Sequence, residues 1–549
     1  MIIHLVNETD FQIYDFSQQT IKGVPVLVHI RDTLKCFNPE SLIPDLFIAP
    51  YVYFCDVQPA NGKKPPSLRI AQGFLSDVLS TLQEHNIQYK INDTRTKPDY
   101  EDIYLECLEQ TVQELTKSTG IVPYDYQLLA AQELLKDPKV ILESATGSGK
   151  SLILFLMVCT LRKLNKSVLL IVPSINLVQQ MNDDFLSYGV DLKPVLIGGG
   201  RDVQIESSTF DGFTISTWQS LQRIDWTFFE SLDALFVDEA HGLRGKVMKG
   251  MSHATKHAKI KVGLTGTVPR GLDYFKVVES IGHKKHIIGT KELISRGLAV
   301  QVKIIPRFHE SIDRRVQDYT EEVNYLINKP RAHRIINEIK DDNSKSKDNT
   351  LVLFNHLEMG TLLCEDYLSR RTQGKFCSDL KEFKELARTH DHIVINSVSL
   401  DFSDLSSGFL KEVQKQVKSG KKVTSSLKYG LFFISGKVQG KVREEARHKL
   451  ENMLGMTVIA SYGTTSTGVN YKKLHKIIFA QGAKSFIRVS QSIGRGLRLH
   501  STKDVVQIID FVDTSKLYTT YSLKHYEHRL EEYVKQGFEI QEPGDNFEF

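Results

Sequence analysis

The sequence predicts an α/β protein in which two consecutive domains, each a parallel sheet flanked by helices, follow a smaller N-terminal α/β domain. Short apolar segments alternate with helix-forming segments from about residue 120, as in KVILES, SVLLIVPS, ALFVDEA and KVGLTGT. The same alternation begins again with TLVLFN, TVIASYG, KIIFAQG and VVQIIDFV. Strands that alternate with helices form parallel sheets, because each helix returns the chain to the start of the next strand.

The chain has 549 residues, which is enough for three or four domains. We predict an N-terminal accessory domain with a possible DNA-binding role at 1–95, a connecting helix at 96–118, the first main domain at 119–300, the second at 301–515 and a C-terminal helical tail at 516–549. An insertion at about 378–430 breaks the rhythm of the second domain, and its late part gathers lysines. It is either a solvated excursion of the surface or a basic element that touches nucleic acid.

The composition is that of a soluble globular protein, with 41% hydrophobic and 25% charged residues. No apolar run has membrane-spanning length, and the N-terminal residues lack the features of a signal peptide. The six cysteines form no C-x-x-C pair, which favours a reducing compartment and argues against a zinc site. These features predict a cytoplasmic protein with no membrane partner. The net charge of +4 permits a polyanionic partner without demonstrating one.

The stretch ESATGSGKS, residues 143–151, predicts a phosphate-binding loop. It lies between an apolar strand and a long apolar helix, where backbone N–H groups and the helix N-terminus can face phosphate oxygens. It fits G-x-x-x-x-G-K-[ST] with Ala145 in place of the first glycine. Lys150 would reach the β- and γ-phosphates, and the Ser151 hydroxyl would bind Mg²⁺. The nucleotide-binding candidates in this loop are Thr146, Gly147, Ser148, Gly149, Lys150 and Ser151. The alternative is a glycine turn that binds nothing.

The stretch LFVDEAH, residues 235–241, predicts the metal and water site of the same domain. Three apolar residues form a buried strand that ends in Asp238 and Glu239. Asp238 would hold Mg²⁺, and Glu239 would orient and deprotonate the attacking water. A chance acidic pair on the surface would not follow such a strand. ATP and Mg²⁺ are therefore the predicted cofactors.

The stretch QSIGRGLR, residues 491–498, supplies two arginines from the second domain. Arg495 and Arg498 are spaced to lie on one side of a turn or helix. An arginine aimed at a γ-phosphate stabilises the charge that develops in phosphoryl transfer. If both act on ATP bound to the first domain, the nucleotide lies between the domains, and hydrolysis opens and closes the cleft. That arrangement indicates a motor and argues against a phosphotransferase.

Taken together, the motifs resemble those of superfamily 2 helicases. Motifs I, Ia, Ic, II, III, IV, V and VI correspond, in this order, to ESATGSGKS, IVPSINLVQQ, ISTWQS, VDEAH, GLTGT, LVLFNH, ASYGTTSTGVN and QSIGRGLR. Within the superfamily, the chain is similar to the DEAH-box recombination helicases of T-even phages over roughly 120–515. The resemblance implies two tandem RecA-like domains, nucleic-acid-dependent ATP hydrolysis, and a host-cell cytoplasmic location if the protein is phage-encoded.

The resemblance also implies roles for further residues. Gln127 is similar to an adenine-reading glutamine upstream of motif I, and His241 would couple the ATP site to motif III. Gln491 would face the cleft, and Gly468 would let the backbone approach the nucleotide. The implied contacts to nucleic-acid phosphates, which carry little sequence information, are Ser174, Thr217, Asn355 and Ser461.

The leading interpretation is an ATP-dependent DNA helicase that remodels branched DNA by branch migration, fork regression or R-loop unwinding. Its partners would be branched DNA, junctions of duplex and single strands, and RNA within RNA–DNA hybrids. One alternative is a translocase on duplex DNA that does not separate strands, and another is an RNA helicase. A binding module with an inactive ATP site is disfavoured, because Lys150, Glu239 and both arginines are present.

Overall fold

The computed structural model describes most of the chain in two compact units, Met1–Gly289 and Thr290–Phe549. The described ranges are 1–5, 10–14, 19–37, 51–59, 66–94, 101–190, 192–198, 212–222, 227–242, 258–269, 271–339, 348–372, 392–395, 398–401, 423–425, 431–434, 454–465, 473–482 and 503–542, with the shorter pieces 224, 250, 254–255, 489, 492–494, 496–497 and 499–500. The finer domain boundaries within these units stay predictions. No helix in the described part of the chain is long and apolar enough to span a membrane.

The first unit begins with a small α/β domain. Its elements are β1 (Ile2–Leu5), β2 (Asp10–Tyr14), β3 (Thr20–Ile21), β4 (Val24–Pro25), α1 (Val26–Thr33), β5 (Lys35–Phe37), β6 (Tyr51–Tyr53), β7 (Cys55–Gln58), β8 (Ser67–Ala71), a 3₁₀ turn (Gln72–Phe74), α2 (Leu75–Glu84) and β9 (Lys90–Asp93). Five of the strands form a sheet in the order β7-β8-β2-β1-β9. Alternate residues of β1 and β2 are buried, so one face of this sheet packs into the core.

The second part of the first unit is a seven-stranded parallel sheet with helices around it. Its elements are α3 (Glu101–Thr119), α4 (Asp125–Lys136), β10 (Lys139–Ser144), α5 (Lys150–Lys163), β11 (Val168–Ile171), α6 (Ile175–Ser187), β12 (Val195–Ile197), β13 (Phe213–Ser216), α7 (Trp218–Leu221), α8 (Thr227–Glu230), β14 (Ala234–Asp238), a 3₁₀ turn (Ala240–Gly242), β15 (Ile260–Thr265), α9 (Leu272–Ser280) and β16 (His283–Ile288). The strand order is β12-β13-β11-β14-β15-β10-β16. Central strands such as β11 and β15 are buried along their whole length, which is why they are nearly continuous apolar runs in the sequence.

The small domain shares its hydrophobic core with this sheet through α9. The rings of Phe54 and Phe74 lie 5.1 and 5.7 Å from the ring of Phe275 in α9. Gly73 packs directly on the backbone, since a β-carbon there would collide with the carbonyl oxygen of Val278. The two parts therefore pack without room for an additional side chain at this point.

The second unit contains another seven-stranded parallel sheet. Its elements are α10 (Thr290–Ser295), β17 (Gln301–Glu310), α11 (Tyr319–Leu326), α12 (Lys329–Asn337), β18 (Asn349–Phe354), α13 (Leu357–Thr372), β19 (His392–Ile395), β20 (Val398–Asp401), β21 (Val423–Ser425), β22 (Leu431–Ile434), β23 (Thr457–Ser461), α14 (Tyr462–Thr465), β24 (Leu474–Phe479), β25 (Val505–Thr514), α15 (Tyr521–Lys535) and β26 (Glu539–Ile540). The strand order is β22-β23-β18-β24-β25-β17-β26. The chain thus contains a small α/β domain followed in sequence by two parallel-sheet domains, which confirms the predicted fold class.

The predicted insertion at 378–430 contains three described strands, in which the central β19 pairs antiparallel with β20 and with β21. The lysines that suggested a basic surface there lie outside the described residues. The segment predicted as a helical tail contributes α15 and the edge strand β26, which pairs with β17.

A buried ion pair attaches α15 to the sheet of the second unit. Arg529 donates from Nε and Nη2 to the two carboxylate oxygens of Asp510 at 2.9 and 2.8 Å. The side chains of Arg529 and Asp510 are 2% and 0% exposed. The hydroxyl of Tyr533 donates to the same carboxylate at 2.9 Å. A charge this deeply buried depends on its partner, because water cannot replace it.

Replacing Arg529 with Ala should therefore lower the unfolding free energy of the second unit by about 3–5 kcal/mol, because Asp510 would stay buried without a counter-ion. Denaturant unfolding followed by circular dichroism measures this change. Lys516→Ala is the matched control, since its pair with Glu310 is 82% and 50% exposed and such pairs contribute about 0–1 kcal/mol. Equal effects of the two substitutions would contradict the structural role of the buried pair.

Candidate functional site

The predicted phosphate loop lies between β10 and α5, where its glycines take up left-handed backbone conformations. Gly147 and Gly149 have φ angles of 88° and 81°. A β-carbon on Gly149 would also collide with the side-chain nitrogen of Gln127. Glycine is the residue that adopts such angles without steric cost. The first backbone amides of α5, which starts at Lys150, have no partners within the helix and can face an anion.

Side chains of α4 form hydrogen bonds to the backbone of the loop. The Gln127 amide nitrogen and the Tyr126 hydroxyl both donate to the carbonyl oxygen of Ser148, at 2.9 and 2.8 Å. The other end of the Gln127 amide accepts from the backbone nitrogen of Tyr124 at 2.9 Å. The Ser148 hydroxyl lies 2.7 Å from that of Ser144. Both ends of the Gln127 side chain are thus engaged within the protein, and its predicted contact to adenine stays a prediction.

The acidic pair lies at the carboxyl end of β14. Glu239 has a φ of 50°, an uncommon conformation for a residue with a side chain. Its Oε1 lies 3.3 Å from the Lys150 ammonium, so the phosphate loop and the acidic pair are in contact. Burial alone would raise the pKa of Glu239, but the Lys150 charge and the His241 ring outweigh it and lower the pKa to about 2.

The pKa of Asp238 is shifted in the opposite direction. Its Oδ1 is buried and has no hydrogen-bond partner in the described part of the chain. Burial, reinforced by the neighbouring Glu239 charge, raises the pKa of Asp238 to about 7. An unpartnered carboxylate oxygen beside a phosphate loop is a suitable ligand for a hard divalent cation. The residues present therefore fit Mg²⁺, with Asp238 and Ser151 as the groups that would hold it.

Glu239 is joined to motif III through His241. The His241 Nδ1 lies 3.3 Å from Glu239 Oε2 and 2.9 Å from the Thr265 hydroxyl oxygen. Because that hydroxyl donates to the carbonyl oxygen of Thr267 at 2.8 Å, it accepts from the Nδ1–H of His241. His241 therefore lies between the acidic pair and motif III, and its coupling role stays a prediction.

Motif III also approaches the phosphate loop directly. A β-carbon on Gly266 would lie 2.9 Å from the Thr146 hydroxyl oxygen and 3.4 Å from the Lys150 ammonium nitrogen. Motifs I, II and III, which are far apart in the sequence, therefore converge at one edge of the sheet. Carboxyl ends of parallel strands are the usual location of ligand sites in such folds.

Two of the predicted phosphate contacts lie at this same edge. Ser174 precedes α6, and its hydroxyl is buried without a partner among the described residues. Thr217 precedes α7, is 2% exposed, and caps that helix by accepting from the backbone nitrogen of Ser220 at 3.3 Å. The Thr217 hydroxyl therefore already caps a helix, whereas the Ser174 hydroxyl has no hydrogen-bond partner among the described residues.

The other two predicted phosphate contacts lie at the carboxyl edge of the second sheet. Ser461 ends β23 and lies in register with Phe354, the last residue of the neighbouring β18. Asn355 follows directly, and its backbone nitrogen donates to the side-chain oxygen of Gln481 at 3.0 Å. The backbone nitrogen of His356 donates to the same oxygen at 3.0 Å.

Four predicted site residues lie outside the described residues, and their positions stay predictions: Gly468, Gln491, Arg495 and Arg498. Conversely, the structure adds residues that the motif analysis did not single out. Gln481 follows the apolar strand KIIFA, and its position after that strand was a usable signal. Tyr126 and Tyr188 gave no such signal, because only the tertiary structure brings them to Ser148 and Ser151.

Comparison with known proteins finds similarity to a restriction-enzyme family and to a DNA helicase. The profile of the family described as "Type III restriction enzyme, res subunit" matches residues 120–270. The chain is 25% identical over 439 residues to the ATP-dependent DNA helicase uvsW of Enterobacteria phage T4, covering 76% of each protein. The predicted resemblance to superfamily 2 helicases, and within them to this phage helicase, is thereby confirmed.

Two solved structures support the fold. One is a fragment of a putative HsdR subunit of a type I restriction enzyme from Vibrio vulnificus YJ016, with a TM-score of 0.52 and 16% identity over 79% of this chain and 70% of that one. The other is Mss116p bound to ssRNA and AMP-PNP, with a TM-score of 0.52 and 12% identity over 82% of each chain. They confirm the predicted tandem RecA-like fold.

Because both ends of the Gln127 amide are hydrogen-bonded, Gln127→Ala should destabilise the first unit even without nucleotide. The expected loss is about 1–2 kcal/mol, the combined value of a helix cap and a buried hydrogen bond. Denaturant unfolding of the nucleotide-free protein measures it, and Gln110→Ala on the exposed face of α3 is the control. Unchanged stability with a selective loss of affinity for adenine nucleotides would show instead that Gln127 serves the base.

Proposed function

We propose that this chain, an ATP-hydrolysing enzyme of the superfamily 2 helicase type, is a DNA helicase that remodels branched DNA. The observation that carries the proposal is the line of contacts from Lys150 through Glu239 and His241 to Thr265. These contacts join Lys150, which would bind phosphate, to Glu239, which would activate water. They continue to motif III, which could then respond to ATP binding and hydrolysis. A protein that only binds nucleotide has no need for this connection.

In the nucleotide site, Lys150 would exchange its ion pair with Glu239 for one with the phosphates of ATP. Without nucleotide, the Lys150 ammonium neutralises Glu239 at 3.3 Å. The phosphates of ATP would draw Lys150 away from that carboxylate, which could then accept a hydrogen bond from the attacking water. Mg²⁺, when bound, would neutralise charge on the β- and γ-phosphates, and Asp238 and Ser151 are the residues that would hold it.

The choice of DNA rests on the sequence relationship. The phage T4 relative is described as a DNA helicase, and it is similar to this chain over 76% of its length. Ser174, Asn355 and Ser461 lie at the carboxyl edges of their sheets, where they are candidates for contacts to the phosphate backbone. Branch migration, fork regression and R-loop unwinding are the remodelling reactions we propose, in the host-cell cytoplasm if the protein is phage-encoded.

The second candidate is translocation on duplex DNA without strand separation. The match of residues 120–270 to a restriction-enzyme family favours it. One side-by-side experiment distinguishes the candidates: ATP hydrolysis and strand displacement with single-stranded, duplex, forked and four-way DNA, and with RNA. We expect forked and four-way DNA to stimulate hydrolysis most and to be remodelled. Stimulation by linear duplex without displacement would favour the translocase, and stimulation by RNA alone would overturn both proposals.

Glu239→Gln should lower kcat of ATP hydrolysis by roughly 10²- to 10⁴-fold, because an amide cannot accept the proton of the attacking water. Nucleotide affinity should be unchanged or tighter, since Lys150 no longer has an anionic partner within the protein. Steady-state hydrolysis and binding of a fluorescent ATP analogue measure the two quantities. Glu230→Gln, on the exposed end of α8, is the control. Hydrolysis near the wild-type rate would mean that Glu239 is not the base.

Thr265→Val should keep the shape of the side chain and remove the hydroxyl that accepts from His241. We expect kcat with DNA to fall roughly three- to tenfold, the value of one hydrogen bond, with little change in nucleotide affinity. Thr81→Val is the matched control, because its hydroxyl bonds only within α2 at the surface. A loss of nucleotide affinity with kcat preserved would contradict a coupling role for Thr265.

A further inference from the structure

Tyr188, which belongs to none of the helicase motifs, lies beside the candidate metal ligand Ser151. The two hydroxyl oxygens are 2.9 Å apart. Tyr188 directly follows α6 as its C-terminal cap residue, 37 positions from Ser151 in the sequence. The Tyr188 hydroxyl is therefore within hydrogen-bond distance of Ser151, the loop residue that would bind the metal.

The Tyr188 ring is held in place by other aromatic rings. It lies 5.0 Å from the ring of Phe155, one turn beyond Ser151 in α5. Phe155 packs edge-to-face on Phe185 of α6 at 5.5 Å. Phe185 in turn stacks on Phe213 at 5.7 Å. Because these rings fix the direction of the Tyr188 side chain, its hydroxyl has a defined position relative to Ser151.

We propose that Tyr188 is a positioning residue that orients the Ser151 hydroxyl for Mg²⁺. A serine hydroxyl has one proton and two lone pairs. If it donates that proton to the Tyr188 oxygen, its lone pairs are free to face a cation. Without Tyr188 the hydroxyl rotates among its rotamers, and some of these place the proton towards the metal. This inference rests on the proposed function, since it concerns the same nucleotide site.

The helix that Tyr188 caps is preceded at its other end by a candidate nucleic-acid contact. Ser174, at the start of α6, has a buried hydroxyl with no partner among the described residues. The 13 residues of α6 span about 20 Å as one rigid rod. Tyr188 thus gives the nucleic-acid end of α6 a physical connection to the metal ligand, separate from the connection through His241 and Thr265.

The test is Tyr188→Phe, which keeps the ring and its packing on Phe155 and removes only the hydroxyl. Binding of a fluorescent ATP analogue is measured in the full chain with Mg²⁺ and with EDTA. We expect the Mg²⁺ concentration for half-maximal binding to rise roughly three- to tenfold, the value of one hydrogen bond, while affinity in EDTA is unchanged. Ser151→Ala should show a similar or larger rise, and adding Tyr188→Phe to it should have no further effect.

Tyr104→Phe is the structural control, because it removes a buried hydroxyl that donates to the Ala131 carbonyl oxygen at 2.9 Å, away from the loop. It should leave the Mg²⁺ dependence unchanged. An equal loss with Mg²⁺ and with EDTA, no change, or tighter Mg²⁺ binding in Tyr188→Phe would each overturn the inference. If the wild-type chain itself binds no nucleotide, the proposed function fails, and that result is distinguishable from failure of the role of Tyr188.

Discussion

The contact between Lys150 and Glu239 is the interaction on which the candidate site depends. Both groups are largely removed from water, with 12% and 24% of their side chains exposed, and each compensates the charge of the other. The uncommon backbone conformation of Glu239 keeps its carboxylate within reach of the lysine. Residues in such conformations concentrate at functional sites, where the surrounding structure stabilises them. Asp238 Oδ1 has no hydrogen-bond partner among the described residues, so the site has one acid neutralised by Lys150 and one acid with an oxygen available to a cation.

In the second unit, too, charged side chains that are removed from water have partners within the protein. Its parallel sheet is covered on both faces, so charges at its strands need protein partners. Arg331 donates to Asp513 and to the carbonyl oxygen of Ala480, and Arg529 donates to Asp510. These pairs fix α12 and α15 to β25 and make the C-terminal helix part of the fold. These two buried arginines are paired with carboxylates, whereas Asp238 Oδ1 in the first unit has no hydrogen-bond partner in the described part of the chain.

The fold class could be predicted from the sequence, because strands covered on both faces appear as apolar runs and the helices between them alternate with these runs. The loop glycines and the acidic pair could be found for a related reason: their chemistry needs specific residue types at short spacings. The hydrogen bond from Gln127 to Ser148 and the contact between Tyr188 and Ser151 could not be predicted from the sequence. Each depends on how α4 or α6 packs against α5, and short-range patterns do not encode that packing. The antiparallel strands between residues 392 and 425 were likewise not anticipated, because no periodic pattern distinguished them.

The contact of Gly73 with the backbone at Val278 has a consequence for how this chain can be divided. Phe275, Val277 and Val278 belong to a core that residues of the N-terminal domain complete. A shortened protein without residues 1–95 would expose this part of α9 to water, and an apolar patch of that kind promotes self-association. The N-terminal domain is therefore an integral part of the first unit, and a stable fragment of that unit has to include it.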